Sequence, residues 1–166
     1  MKTIEFPKFD CPLLKIREKI LIGGKIFCGR DAVLPKIVEL VEAGGLAEKG
    51  IQLQGAVIFH TAVSPAGIGP TSSNKLEIES SIPALSAAGV KLHLGKGALK
   101  AETVAALKEH CSYFAVTPPV SALFARNIKS IRIVAFPELG MEALHEVEVE
   151  GIPAVIAIAD GESIFD

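Results

Sequence analysis

Val90-Lys91-Leu92-His93-Leu94-Gly95-Lys96-Gly97, followed by Ala101 to His110 and then by Tyr113-Phe114-Ala115-Val116, sets the pattern for the whole chain. The first block alternates as a strand does and ends in a glycine turn. The second carries apolar residues at helical spacing, and the third is a short apolar run of strand type. Strand, turn, helix and strand make the repeating unit of a parallel sheet. The same order appears upstream, where Ala56-Val57-Ile58-Phe59 reads as a buried strand and Ser64 to Pro70 as a Pro/Gly loop. A helix is expected from about Thr71, interrupted or restarted at Pro83. Downstream, Pro118-Pro119 break the chain, Val120 to Asn127 reads as a helix, and Ile131 to Ala135 and Ile152 to Ala159 read as strands. Towards the N-terminus, Ile20-Leu21-Ile22 and Lys25-Ile26-Phe27-Cys28 flank Gly23-Gly24 like the arms of a hairpin. Between Asp31 and Ala43 the residues Val33, Leu34, Ile37, Val38, Leu40 and Val41 recur at helical spacing, with Asp31 placed to cap and Gly44-Gly45 to stop the run. The expectation is an α/β fold, one domain over residues 1–166, with a largely parallel central sheet and an N-terminal β-hairpin as an appendage.

Composition narrows the function classes. The 166 residues are 49% hydrophobic, ample for a sizeable core. The formal net charge is -2 and the 17 basic residues are scattered, so no track for nucleic acid is visible. No apolar stretch approaches the roughly 18 residues of a membrane span. Lys2, Glu5, Pro7, Lys8 and Asp10 leave no apolar leader segment at the start, which points to a cytoplasmic protein. Cys11, Cys28 and Cys111 form no C-x-x-C pair, which argues against a zinc knuckle or a self-contained iron–sulfur run, and they read as reduced thiols. Gly89 to Gly97 is one residue too long for a P-loop and lacks its Ser/Thr; no G-x-G-x-x-G follows a strand, and no G-x-S-x-G elbow occurs.

In folds of this type ligands gather where loops leave strand ends, and Thr71, Lys96 and Thr117 all follow predicted strands. Gly69-Pro70-Thr71-Ser72-Ser73-Asn74-Lys75-Leu76-Glu77 joins a tight loop to a helix start and adds one cation. It reads either as a plain N-cap or as a seat for a small carboxylate, with unpaired N–H groups, hydroxyls and Lys75 facing an anion. Lys96 is a further candidate cation, set between two glycines that would let the backbone approach a ligand closely. Among the histidines, His60 stands out because it closes a strand and enters the Pro/Gly loop.

Several separated pieces together resemble the β subunit, or C-terminal domain, of the class I iron–sulfur hydro-lyases, the fumarase and L-tartrate dehydratase group. They are Arg30-Asp31-Ala32, Gly69 to Glu77, Gly95-Lys96-Gly97, Pro118-Pro119-Val120-Ser121-Ala122, Leu139-Gly140-Met141-Glu142-Ala143 and Asp160-Gly161, in the family's order and approximate spacing. The resemblance implies a swivelling β/β/α domain, and a partner α subunit that carries a [4Fe-4S] cluster while this chain holds no cofactor. It implies reversible hydration of fumarate to L-malate, with L-tartrate dehydration as the neighbouring activity and a non-catalytic docking domain as a third. Carried over by position, Thr71 becomes the proton-transfer group, Lys96 stabilises the developing charge, and Arg30, Lys75, Ser72 and Gly69 bind the dicarboxylate. Deprotonation beside a carboxylate builds a dianion, and such an intermediate needs preorganised positive charge. Two positions depart from the pattern. Lys75 stands where the family has arginine, losing a bidentate fork, and Leu34 stands where it has histidine, a role that could pass to His60.

Overall fold

The computed structural model describes residues 1–10, 13–64, 67–71, 75–117 and 126–165, at 64, 67–71 and 75–78 by their backbone. Its strands, in chain order, are β1 (Lys2–Phe6), β2 (Lys19–Gly29), β3 (Val57–Ser64), β4 (Gly67–Thr71), β5 (Leu92–Gly95), β6 (Tyr113–Val116), β7 (Ile128–Ala135), β8 (Leu144–Ala159) and β9 (Glu162–Ser163). The helices are α1 (Leu34–Ala43), α2 (Lys75–Ala87) and α3 (Ala101–Glu109). β2, β3, β5 and β6 lie side by side and parallel. β8 then runs antiparallel to both β6 and β2 and closes the sheet on itself. The result is a closed five-stranded β-barrel, not the largely parallel α/β sheet that the sequence suggested. Following the register once round, from Gly29 through His60, Val116 and Val155, returns to β2 at Lys19, so the strands are strongly staggered.

The physical reason for the difference is β8. Leu144, His145, Val147 and Val149 are buried while Glu146 and Glu148 are only partly so, an alternation that pairs with β7 and β2 at once. Gly151, at φ 72°, breaks the run without ending the strand, and Ile152 onward continues along β2 and β6. The expected N-terminal hairpin does not form either. Gly23 and Gly24 lie inside the continuous strand β2, and β1 packs parallel along it. Gly24 has φ 90°, and a Cβ there would collide with the Phe6 backbone, so these glycines admit a neighbouring strand rather than make a turn.

Alternate residues of each strand face inside and outside. Ile26, Cys28, Val57, Phe59, Leu92, Leu94 and Ala115 join Val147, Ile152 and Ile156 in the barrel core. Phe27 and Ile58 point the other way and pack with Leu34, Ile37 and Leu85, under α1 and α2. Phe114 and Ile158 do the same with Ile82 and Leu107 under α2 and α3. Helix α1 begins later than Asp31 suggests: Val33 is its N-cap without a side-chain bond, and the Arg30 carbonyl accepts the Val33 and Leu34 N–H groups. Gly44 ends it in the left-handed region at φ 73°, as the sequence indicates. Helix α2 runs through Pro83 unbroken. Helix α3 has no cap of its own, and Glu79 of α2 supplies one, its Oε1 accepting the Lys100 N–H at 2.6 Å and the Thr103 hydroxyl at 2.9 Å. The predicted helix Val120 to Asn127, with Pro118-Pro119 before it, lies up to residue 125 outside the described residues. Of the thiols, Cys28 is free and buried in the barrel, whereas Cys111 is disulfide-bonded rather than reduced. Among the described residues no helix is long and apolar enough to cross a membrane.

Candidate functional site

Three of the four parallel strands end level with one another, and their register puts the candidate cations at one rim. Gly29 pairs with His60, and Gly95 with Val116, so Arg30, Lys96 and Thr117 follow the C-terminal ends of β2, β5 and β6, level with Thr61 inside β3, which runs on to Ser64. Neighbouring strands are about 4.8 Å apart, so Arg30 and Lys96, two strands from each other, stand roughly 10 Å apart along the rim. β4 folds back on β3, with the backbone of Thr71 opposite Thr61. Arg30, Thr71 and Lys96 are thus brought to one end of the barrel from three distant parts of the chain.

Each arrives differently. Lys96 is exposed, between Gly95 and Gly97, and has no ion-pair partner among the described residues. Thr71 closes β4, and α2 opens only at Lys75, so the threonine belongs to the strand rather than to the first helical turn. Gly69 lies within β4, Lys75 is the first residue of α2, and Ser72 falls outside the described residues. Arg30 is 31% exposed and is held by Glu142: its Nε donates to Glu142 Oε1 at 2.8 Å and Nη2 lies 2.6 Å from the same oxygen. That hydrogen bond, more than the opposing burial, raises the arginine pKa further above its ordinary value. Glu142 ends a 3₁₀ segment, Pro137–Glu142, that lies over β3. Phe136 before it sits in the left-handed region with Lys36 and Lys49 over its ring.

His60 does not face the rim. Fully buried, it points to the helix side of the barrel, where Nε2 lies 3.1 Å from His93 Nδ1 and His93 Nε2 lies 3.0 Å from Ser86 Oγ of α2. His60 Nδ1 ends this chain with no partner among the described residues. Burial pushes His60 down to about 3, and burial and then the neighbouring His60 push His93 well below its ordinary value, so both rings are neutral at neutral pH. Neutrality is what makes the chain consistent: one ring must donate and the other accept between Nε2 and Nδ1. From the sequence His93 reads as a strand side chain with a local partner, and Ser86, seven residues away in α2, is such a partner; the contact with His60 carries no sequence signal of its own.

Among the described residues no group of three His, Cys, Asp or Glu could hold a metal ion. The only free thiol among them, Cys28, lies in the apolar barrel, where burial pushes it far above the ordinary thiol range, so it is no thiolate ligand. These residues do not fit an iron–sulfur cluster. A cleft of about 760 Å³ opens at the opposite end of the barrel, beside Tyr113 and Ala159. It is lined by both signs of charge, Lys15, Arg17 and Lys108 with Asp160 and Glu162.

The family described as "Fumarase C-terminus" matches residues 8–166. The anaerobic class I fumarate hydratase of Escherichia coli strain K12 is 31% identical over 158 residues, covering 90% of this chain and 28% of the relative. Fumarate hydratase 2 of Leishmania major is 28% identical, covering 86% of this chain and 26% of the relative. A Methanocaldococcus jannaschii protein provisionally named L(+)-tartrate dehydratase subunit beta is 29% identical over 174 residues, covering 96% of this chain and 87% of the relative. The chain thus spans little more than a quarter of the fumarate hydratases it matches and most of the separate subunit.

Proposed function

The chain belongs to the fumarase C-terminus family, and from that premise we propose that it serves as the β subunit of a two-chain hydro-lyase that adds water to fumarate to give L-malate. The observation that carries the reading is the rim, where an arginine and a lysine from separate strands flank the strand that ends at Thr71. A dicarboxylate needs two cationic contacts about its own length apart, and removal of a proton next to a carboxylate needs those charges in place beforehand. In this proposal Arg30 binds one carboxylate through its guanidinium. Lys96 answers the charge that develops when the proton leaves, and Thr71 is the group that moves the proton. Gly69, Ser72 and Lys75 complete the carboxylate seat. His60, buried behind the rim, supports β3 instead of touching substrate. The chemistry of water addition is left to a second chain that carries the iron–sulfur cluster, because the described residues here offer no ligand set for one.

Two observations support a separate partner. The match covers most of a protein named as a beta subunit. Beside the Arg30–Glu142 pair, a groove of about 370 Å³ is lined by Val63, Ile131, Ile133 and Met141, the last three 40%, 46% and 54% exposed. These lie on or next to β7, which among the described residues is an edge strand paired only with β8. Apolar residues at an edge next to a candidate site suit the cluster-bearing subunit as their cover. Co-expression with that subunit tests the whole reading. The complex is expected to hydrate fumarate while the chain alone does not, and Thr71→Ala is expected to abolish turnover without dissolving the complex. If the complex instead dehydrates L-tartrate and leaves fumarate untouched, the substrate is the second hydroxy-acid of the family. A complex whose activity survives Thr71→Ala, Arg30→Ala and Lys96→Ala would reduce the chain to a docking domain.

A further inference from the structure

An arginine side chain offers a carboxylate two edges: the side edge formed by Nε and Nη2, and the end edge formed by the outward N–H groups of Nη1 and Nη2. Glu142 takes the side edge of Arg30, and takes it with one oxygen. Nε donates to Oε1 at 2.8 Å and Nη2 lies 2.6 Å from the same Oε1, while no bond to Oε2 or to Nη1 is present among the described residues. A fork-to-fork pair would have consumed both carboxylate oxygens. This geometry instead fixes the plane of the guanidinium and leaves its end edge without a partner among the described residues, on a residue 31% exposed at the rim.

The segment that brings Glu142 there is built for the purpose. Glu142 lies 112 residues from Arg30 in sequence. The chain reaches it through Gly140, whose φ of 61° and ψ of -123° are strained for any residue with a Cβ, and through Phe136, held in the left-handed region. Leu139 and Phe136 pack against the cluster that also contains Leu34 and Ile37 of α1, so the carboxylate approaches from a fixed direction. Leu139-Gly140-Met141-Glu142-Ala143 thereby acquires a physical reading: glycine for the turn, apolar residues for the anchor, glutamate for the contact.

We propose that Glu142 is the positioning residue of Arg30, orienting its guanidinium so that the Nη1/Nη2 edge meets the substrate carboxylate as a preformed fork. The inference rests on the dicarboxylate reading above and deepens it. A flexible arginine has several rotatable bonds to freeze when it binds, and a guanidinium already held by its side edge has few. The alternative, in which Glu142 competes with substrate for Arg30, predicts the opposite effect of removing it.

The test uses the chain and its complex with Glu142→Gln and Glu142→Ala. Glutamine retains an oxygen that can accept from Nε and Nη2, and alanine retains none. In the chain alone, the Arg30 Nε–H proton is expected to exchange slowly in nuclear magnetic resonance spectra of the unmodified and Gln forms, and rapidly in the Ala form. In the complex, Glu142→Ala is expected to raise KM for fumarate about tenfold with kcat within a factor of about three, and Gln to restore most of it. An unmodified complex that turns over no fumarate overturns the hydro-lyase reading and is seen before any variant is compared. With an active complex, an Nε–H signal that ignores Glu142→Ala, or a KM that falls when Glu142 is replaced, overturns the positioning role. Lost stability with unchanged KM leaves Glu142 as a fold contact only and also overturns it.

Discussion

Acidification tests the buried histidine chain with a magnitude that follows from its burial. His60 titrates near 6.5 in the unfolded chain and near 3 in the folded one, because the barrel and α2 exclude the water that would solvate an imidazolium. Between those values the unfolded state binds a proton that the folded state refuses, so folding is favoured above pH 6.5 and loses that advantage as pH falls towards 3. At 1.36 kcal/mol for each pH unit, the whole window is worth about 5 kcal/mol for His60 alone, and the portion between pH 7 and pH 5 about 2 kcal/mol. His93 adds to this in the same direction, less than independently because it shares a hydrogen bond and a charge interaction with His60. The interval from pH 7 to pH 5 is the useful one, since carboxylates titrate mostly below it. Urea unfolding at the two pH values is expected to show stability falling by about 2 kcal/mol or somewhat more. The double variant His60→Gln/His93→Gln is expected to be less stable at pH 7 but nearly flat across the same interval. A native chain whose stability is the same at both pH values would refute the buried neutral pair, and so would a double variant that keeps the full slope.

Other consequences follow from single contacts. Glu79→Ala removes the borrowed cap of α3 and is expected to cost about 1 kcal/mol in urea unfolding, with loss of protection at the amide of Lys100 in hydrogen exchange. Gly24→Ala places a Cβ against the Phe6 backbone at φ 90° and is expected to cost at least about 2 kcal/mol, read as a drop in thermal midpoint. Lys96→Ala, at an exposed residue, is expected to change chain stability by no more than about 0.5 kcal/mol while lowering turnover by the complex steeply. Ile131→Glu/Ile133→Glu places charge in the exposed groove beside β8 and is expected to weaken co-purification with the proposed cluster-bearing subunit without unfolding the chain.

The helix and strand positions along the parallel half of the barrel were legible because each carries its own period. Ala56 to Phe59, Val90 to Leu94, Ala101 to His110 and Tyr113 to Val116 lie close to where the structure has them. What escaped was closure, which no local period encodes. Leu144 to Glu150 alternates as a half-buried strand should, but only the pairing with both β2 and β7 tells that it seals a barrel. Gly23-Gly24 misled for a related reason: glycine marks a turn and a close backbone approach equally well, and the neighbour that decides between them is β1. At the site, Lys96 could be picked out because a cation just after a strand is placed at a sheet end by the backbone alone, whereas Arg30 was reached only through the family resemblance of Arg30-Asp31-Ala32. The Glu142 contact and the His60–His93–Ser86 chain could not, since each joins residues whose meeting depends on how α2 and the 3₁₀ segment pack over β3.

Fumarate hydration by the anaerobically purified complex of this chain with the cluster-bearing subunit, compared between native Arg30 and Arg30→Ala, bears most directly on the rim as a dicarboxylate site. Steady conversion of fumarate to L-malate that is lost by a factor of about a hundred or more on substitution is the predicted result. Equal turnover with and without the guanidinium would contradict it.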